Sequence, residues 1–344
     1  MTTADATANA SAASLADMQL SVAAEVGLAY ISLRNGQARL VVAQANLANQ
    51  QHTLQITDWR VQAGLLSALQ AQQARAAAAQ TAALLPALQT NVAQLAQALA
   101  VLTGQPPAAL STQLAAPAPV PQAAADLALS LPADTLRQRP DVRAAEQQVL
   151  AAQGRVAQAD AARYPSFRLG GSLGLQALTL GTLGSSALAT SLLASVGAPL
   201  WDGGATRAQL QAQEAALAQA RANYRGTVLT ALQDVEGALL ALQGDRVRVA
   251  QLQQAASAAT AAATLARQRF ASGLVDFQTV LDTQRSQLSA QDSLVTAGAD
   301  VSADHVRLFK ALGGGWQPDD DNPSTAPAHA RTATPLTAPV PDPR

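Results

Sequence analysis

Arg60-Val61-Gln62-Ala63-Gly64-Leu65 recurs as Arg269-Phe270-Ala271-Ser272-Gly273-Leu274, at an offset of 209 residues. Each copy lies in the middle of a long segment that is rich in alanine and glutamine and has helical spacing of its apolar residues. A Gly-Leu pair inside helical sequence predicts a tight turn, because glycine adopts the left-handed conformation at little cost. We therefore predict two similar units of about 80 residues, each made of two long helices joined at a Gly-Leu turn.

The same offset holds upstream of the two turns. Glu25-Val26 aligns with Asp234-Val235, and Arg39-Leu40 aligns with Arg248-Val249. The matches involve charged residues and glycine rather than alanine, which argues against a chance alignment of biased sequence. Repeats of this size pack against copies of themselves to bury their apolar stripes.

The composition favours long helices over a large globular core. Aromatic residues make up 3% of the 344 residues and charged residues 13%. Helices that pack through alanine and leucine need few aromatic side chains. The net charge of −1 gives no sign of a nucleic-acid partner. The sequence has no cysteine, so we expect neither disulfides nor thiolate metal ligands.

Breaks in the helical pattern divide the chain into six predicted segments. They are a disordered start over 1–13, a first long helical hairpin over 14–103, a linker with short helices over 104–165, a β-hairpin over 166–203, a second long helical hairpin over 204–312 and a disordered tail over 313–344. Pro86 falls within the return helix of the first hairpin, where it predicts a kink.

The predicted β-hairpin consists of two strands with alternating apolar residues. Phe167, Leu169 and Leu173 alternate with small or polar residues, and a second strand over 191–201 repeats the alternation. Strands of about ten residues with one apolar face suit a transmembrane barrel. A soluble two-stranded sheet packed on a helix is the alternative.

Three aromatic residues fall at one end of this hairpin. They are Tyr164, Phe167 and Trp201. Aromatic side chains form girdles where barrel strands meet the membrane interface, so we predict that these three belong to such a girdle.

Motifs for chemistry are weak. His52, His305 and His329 are isolated, and none has a second histidine or an acidic residue at metal-ligand spacing. The glycine-rich run at 170–174 lies in strand-like sequence rather than at a strand-to-helix turn, so it does not predict a phosphate site. We expect a protein that is not an enzyme, with no catalytic residue, cofactor or metal.

Several short motifs follow one another along the chain. They are Leu131-Pro132-Ala133-Asp134 with Arg139-Pro140-Asp141-Val142-Arg143-Ala144-Ala145-Glu146, Tyr164-Pro165-Ser166-Phe167, Pro199-Leu200-Trp201-Asp202-Gly203-Gly204 and Leu308-Phe309-Lys310-Ala311-Leu312-Gly313-Gly314-Gly315-Trp316. Together they resemble the outer-membrane efflux proteins of the TolC and OprM type, and most of all the NodT-type lipoprotein branch.

The resemblance implies a mainly α fold with a small β part. Long antiparallel coiled-coil hairpins would form a periplasmic tunnel, and a transmembrane β-hairpin would contribute to a trimeric β-barrel. The implied function is the outer-membrane channel of a tripartite RND-type efflux system, a passive conduit for drugs and other small molecules. The implied partners are two further copies of the chain, outer-membrane lipid, a periplasmic adaptor protein and an inner-membrane RND pump. A type I secretion channel is a related alternative.

The chain departs from the family pattern in its β part. A family protomer has two β-hairpins, and only the second is recognisable in these 344 residues, which also contain no signal peptide or lipobox. We therefore expect an N-terminally truncated member. Three copies with one hairpin each supply fewer than the about eight strands of the smallest bacterial barrels, so a non-conducting coiled-coil scaffold is an alternative from another class.

The resemblance also implies a gate at the periplasmic end of the tunnel. Asp282 and Arg285 lie in a Leu-Asp-x-Gln-Arg segment that lines this end in the family, one turn after Gln278, where the family more often has an apolar residue. The alternative is an exposed ion pair at i,i+3 spacing, worth a few tenths of a kcal/mol.

The two Gly-Leu turns are expected to contact the adaptor. The residues concerned are Arg60, Gly64, Leu65, Arg269, Gly273 and Leu274. A purely structural role for the turns is the alternative, because glycine is needed there in any case.

Overall fold

A computed structural model describes residues 2–123, 138–176 and 187–314. The elements are α1 (Thr3–Gln62), α2 (Ala68–Leu102), α3 (Pro140–Ala161), β1 (Ser166–Gln176), β2 (Ala187–Gly197), α4 (Ala205–Ala271) and α5 (Phe277–Ala311). The prediction of a mainly α fold with a small β part is confirmed. Residues 124–137 of the predicted linker with short helices and nearly all of the predicted tail lie outside the described residues.

The long helices form two antiparallel hairpins that lie side by side. α1 packs against α2, and α4 packs against α5. With 60 and 67 residues, α1 and α4 are roughly 90 and 100 Å long. α1 also packs against α5, and α3 bridges α1 and α4. Among the described residues, no helix is both long and apolar enough to cross a bilayer.

The start of the chain is helical, so the predicted disorder over 1–13 is wrong. Thr2 and Asp5 form a capping box, in which each side chain accepts a hydrogen bond from the backbone N–H of the other residue, at 3.2 and 2.9 Å. Ala6, Ala10 and Ala13 are buried along one face. Alanine carries little hydropathy, so this stripe does not stand out from the small polar residues around it.

Alanine supplies most of the buried apolar side chains between the long helices. Close approach is strictest where Thr3 meets α3, because a Cβ atom at Gly154 would lie 2.3 Å from the Thr3 hydroxyl. Larger side chains gather at the turn between α4 and α5. There the rings of Phe270 and Phe277 lie 5.3 Å apart between centroids, in a core shared with alanines of α2.

The segment after α2 is held against α1 by two buried polar side chains. Arg34 donates to the carbonyl oxygen of Ala116 at 2.8 Å, and Gln37 donates to that of Leu114 at 2.7 Å.

The helix α2 continues through Pro86 without ending there. The kink at that residue stays a prediction.

The two strands pair in antiparallel register, with Ser166 opposite Gly197 and Phe167 opposite Val196. The predicted extent of the second strand, 191–201, is wrong by four residues at each end. Pro199 has no N–H to donate, and β1 offers no partner beyond Ser166.

One face of the hairpin is apolar and exposed. Its large side chains are between 66% and 79% exposed, and they are Phe167, Leu169, Leu173, Leu192 and Val196. An apolar surface of this kind marks a place where protein or lipid covers the chain.

Candidate functional site

The first Gly-Leu turn ends α1 in a Schellman motif. Gly64 has a φ of 71°, and the Leu65 N–H donates to the Arg60 carbonyl oxygen at 2.8 Å. The Gly64 N–H donates to the Val61 carbonyl oxygen at 2.9 Å. Leu65 itself is 72% exposed.

The second turn repeats this geometry at the end of α4. Gly273 has a φ of 73°, the Leu274 N–H donates to the Arg269 carbonyl oxygen at 2.9 Å, and the Gly273 N–H donates to that of Phe270 at 3.0 Å. Leu274 is 74% exposed. The turns thus present two equivalent leucines to the surface.

The two arginines that precede the turns have different surroundings. Arg60 reaches across to the other hairpin, donates to the carbonyl oxygens of Phe270 and Ala271 at 3.4 and 3.1 Å, and lies over the Phe270 ring. Basic side chains stabilise the last carbonyl groups of a helix. Arg269 is exposed, and its guanidinium has no partner among the described residues.

The three residues predicted to form a gate lie together on α5. The Gln278 amide donates to the Asp282 carboxylate at 3.0 Å, and Arg285 donates to the same oxygen at 3.3 Å. The side chains of Asp282 and Arg285 are more than half exposed. One carboxylate oxygen therefore holds both neighbours, and the role of the group as a gate stays a prediction.

A polar seam between α1 and α5 was not predicted. Arg39 pairs with Asp292, the Asn46 amide donates to the Gln291 side-chain oxygen at 2.8 Å, and the Thr53 hydroxyl accepts from Gln284 at 3.0 Å. Arg39, Asn46 and Thr53 recur every seven residues, and Arg60, which bonds to the end of α4 rather than to α5, continues this spacing. Seven residues are close to two helical turns, so these side chains share one face of α1. That spacing was the available signal in the sequence.

Arg139 was also missed as an organising residue. Its guanidinium forms five hydrogen bonds, two with Asp141 at 3.0 and 2.7 Å, one with Asp234 at 3.1 Å, and one each with the carbonyl oxygens of Ala311 and Ala231 at 3.0 and 3.4 Å. It therefore joins the start of α3 to α4 and to the end of α5. Such a planar group with several donors suits a junction of helices better than lysine would.

The aromatic residues predicted as a girdle lie at the same end of the β-hairpin. Phe167 pairs with Val196 next to the last pair of the ladder, while Tyr164 precedes β1 and Trp201 follows β2. All three aromatic side chains are more than 60% exposed. Their contact with a membrane interface stays a prediction.

Asp202 connects the hairpin to α4. Its carboxylate accepts from the N–H groups of Gly204 and Thr206 at 2.9 and 2.8 Å. Gly203 and Gly204 both have positive φ, so the turn needs glycine at two consecutive positions.

Across the described ranges, no group of three histidine or acidic side chains is arranged to hold a metal ion.

The paired hairpins, the duplicated turns and the exposed apolar strands together define a class of protein. The chain belongs to the outer membrane efflux protein family, whose model matches residues 1–105 and 131–314. Among curated relatives, the toluene efflux pump outer membrane protein TtgF of Pseudomonas putida is 34% identical over 323 residues, which is 90% of this chain and 64% of TtgF. Nodulation protein T of Rhizobium leguminosarum bv. viciae is 33% identical over 294 residues, which is 83% of this chain and 60% of that protein.

Solved structures agree with this assignment. The outer-membrane channel OprN superposes with a TM-score of 0.85 at 36% identity, over 92% of this chain and 71% of OprN. VceC of Vibrio cholerae superposes with a TM-score of 0.81 at 28% identity, over 92% of this chain and 75% of VceC. The chain spans 60% to 64% of the length of the two curated relatives.

Proposed function

We propose that the protein is the outer-membrane channel component of a tripartite efflux system of the RND type. In this proposal three copies form a passive conduit that carries small molecules across the periplasm and the outer membrane. The observation that carries the proposal is the pairing of two long helical hairpins with a β-hairpin whose apolar face is exposed, in a chain of this family.

The β-hairpin supports a location in the outer membrane. Its exposed face alternates with a polar one, on which the hydroxyls of Ser172 and Ser191 lie 2.8 Å apart. Strands with one apolar and one polar face suit a barrel shared by several copies, with lipid outside and water inside. The aromatic residues at the hairpin end, Tyr164, Phe167 and Trp201, would then lie at the interface.

The turns support a contact with a periplasmic adaptor. Leu65 and Leu274 are exposed at the ends of the two hairpins, far along the long helices from the strands. Isolated exposed leucines on equivalent turns provide apolar contacts for a helical partner. The adaptor would in turn connect the channel to an inner-membrane pump.

The relatives suggest the class of cargo. TtgF is named for toluene, and OpmQ of Pseudomonas putida, 35% identical over 305 residues, is named for pyoverdine export. These names cover an apolar solvent and a polar siderophore, so the proposal specifies small molecules rather than one substrate.

Deletion of the gene in its own organism tests the proposal. We expect the deletion strain to accumulate more of a fluorescent efflux dye such as ethidium, and a plasmid copy to restore the lower level. The protein should sediment with the outer-membrane fraction and require detergent for release. Unchanged dye accumulation together with release by salt alone would contradict the proposal and favour a scaffold.

A further inference from the structure

The two helical hairpins repeat each other closely, and one contact of the first hairpin is apolar. A Cβ atom at Gly36 would lie 3.1 Å from Val92 and 3.9 Å from Leu95, so this glycine of α1 faces two apolar side chains of α2. The 209-residue offset also relates Gly104 to Gly313, which both have positive φ. The offset therefore holds along the second helix of each unit as well as along the first.

The equivalent contact in the second hairpin contains two carboxyl groups. By the same offset, Gly36 corresponds to Asp245 on α4, and Leu95 corresponds to Asp304 on α5. A position at which glycine meets leucine in one hairpin is thus a position at which two acids meet in the other.

Both acids lie in the apolar seam between α4 and α5. Asp304 comes three residues after Val301 and four before Leu308, and Asp245 comes three residues after Leu242. Leu242 and Leu308 belong to one buried cluster, against which Val301 packs. Residues three and four apart share one face of a helix, so the two carboxyl groups continue this seam.

Asp304 has one carboxylate oxygen without a partner. Its Oδ1 accepts from Arg307 at 2.7 Å, whereas its buried Oδ2 accepts no hydrogen bond in the part of the chain that the structure describes. Burial is the largest cause that raises the pKa of Asp304. The facing Asp245 raises this pKa further through its charge and a hydrogen bond, while Arg307 lowers it. A buried carboxylate oxygen without a donor is costly, and a proton on it removes that cost.

We propose that Asp304 and Asp245 share one proton, which links α4 to α5. The Oδ2–H group of Asp304 donates to the carboxylate of Asp245, and loss of the proton brings two negative charges together inside the seam. The pair is a pH-dependent contact that stabilises the second hairpin at low pH and is lost as the pH rises. The contact lies within one chain, so it does not depend on the transport function proposed above.

Exposure decides which member carries the proton. The side chain of Asp304 is 2% exposed and that of Asp245 is 23% exposed. The Oδ1 atom of Asp245 also accepts from Arg248 at 3.1 Å. Asp304 is therefore the donor and Asp245 the acceptor, because the charged form is better solvated at the more exposed position.

The other titratable groups around the pair are partly or fully exposed. They are Arg246 and Arg248 of α4, and Asp300, His305 and Arg307 of α5. Water screens these groups, so they change the energy of the seam less than the buried carboxyl group does. From the other side, α1 presents the apolar Leu28 and Ile31 to Ala299 and Ala303 of α5.

Infrared spectroscopy tests the shared proton directly. A protonated carboxyl group absorbs at a different frequency from a carboxylate, and ordinary aspartates are ionised at pH 5. We expect the whole chain in detergent to give a protonated carboxyl band at pH 5 that Asp304→Asn lacks. Asparagine donates an N–H to Asp245, so this variant keeps the contact and its fold. Asp300→Asn removes an exposed acid one turn away and should keep the band. An equal band in Asp304→Asn and the parent would overturn the proposal.

Amide hydrogen exchange tests the effect on the hairpin, with the first unit as an internal control. Between pH 5 and pH 8, after correction for intrinsic exchange rates, protection around Asp245 and Asp304 should fall. The expected fall is roughly tenfold for each pH unit by which the pKa of Asp304 exceeds that of an unfolded aspartate. Protection around Gly36 and Leu95 should stay constant, because no carboxyl group lies at that contact.

A double variant completes this test. Asp245→Gly with Asp304→Leu rebuilds the contact of the first unit in the second and should remove the pH dependence of protection, whatever its effect on the overall stability. Equal changes in both hairpins of the parent would contradict the proposal, as would a pH dependence that persists in the double variant.

Discussion

Arg39 on α1 holds the carboxylate of Asp292 on α5 through two hydrogen bonds, from Nε at 2.7 Å and from Nη2 at 3.1 Å. The pair joins the two helical hairpins, and its two residues are 253 positions apart in the chain. Its side chains are a little over one third exposed. A two-pronged, partly shielded pair is the kind of ion pair that contributes measurably to stability.

A double-mutant cycle measures that contribution. With Arg39→Met and Asp292→Asn, singly and together, we expect a coupling of about 1 kcal/mol in the free energy of unfolding. The exposed pair of Asp160 on α3 and Arg163 just after it serves as the control and should couple more weakly. Equal coupling in both pairs would show that the α1–α5 pair is an ordinary surface contact.

The exposed leucines of the turns test the adaptor contact. Leu65→Asp with Leu274→Asp should abolish efflux, because a charge replaces each apolar contact, while membrane insertion and assembly stay intact. Dye accumulation and detergent extraction measure the two effects. Gln105→Asp is the matched control, since Gln105 follows Gly104 in the same type of turn at the other end of α2. Normal efflux by the double variant would leave the turns with a structural role only.

The charged group on α5 tests the gate. Asp282→Ala with Arg285→Ala in the assembled channel should raise single-channel conductance, because a charged constriction becomes wider and neutral. Asp160→Ala with Arg163→Ala removes a pair of the same i,i+3 spacing at the end of α3 and should not change conductance. If both variants conduct like the parent, Asp282 and Arg285 form a surface ion pair.

Asp304 gives the protein a predicted pH dependence. The residue is 1% exposed, one carboxylate oxygen accepts from Arg307 at 2.7 Å, and burial raises its pKa above the ordinary value of 3.8. A raised native pKa means that stability is lost as pH rises through it. Asp304→Asn should therefore raise the melting temperature by a few degrees at pH 7, with the gain shrinking toward pH 4.

Thermal unfolding followed by circular dichroism from pH 4 to pH 7 checks this expectation. Asp300→Asn provides the control, because Asp300 lies on the same helix as Asp304 and forms an exposed ion pair with Arg248 of α4. That variant should show no gain at any pH. A constant difference between Asp304→Asn and the parent across the range would mean that the carboxyl group does not titrate as expected.

The parts of the fold that sequence predicts are those set by local chemistry. The Gly-Leu turns follow from the backbone freedom of glycine, and β1 follows from alternating side chains, so both lie where expected. The extent of β2 depends on its register with β1, which no residue of the second strand encodes alone. The helix at the start depends on a stripe of alanines, which looks like any other alanine-rich sequence until its partner helix is known.

In the candidate site, too, the sequence predicts contacts within one helix but not contacts between helices. The grouping of Gln278, Asp282 and Arg285 follows from helical spacing on one element. The contacts of Arg60 and Arg39 depend on which helices become neighbours, and the residues they meet lie more than 200 positions away. The seven-residue spacing of polar residues along α1 indicates the polar seam, but only the packing of the two hairpins identifies the residues that α1 contacts.

The seven-residue spacing of the polar seam has a mechanical consequence. An axial displacement of α1 against α5 that is shorter than one interval, about 10 Å, separates all the bonded pairs at once. A force along the length of the molecule is therefore shared among all the bonded pairs. Rotation of the hairpins about their long axes meets no such stop, because the apolar neighbours of the seam are mostly small alanines.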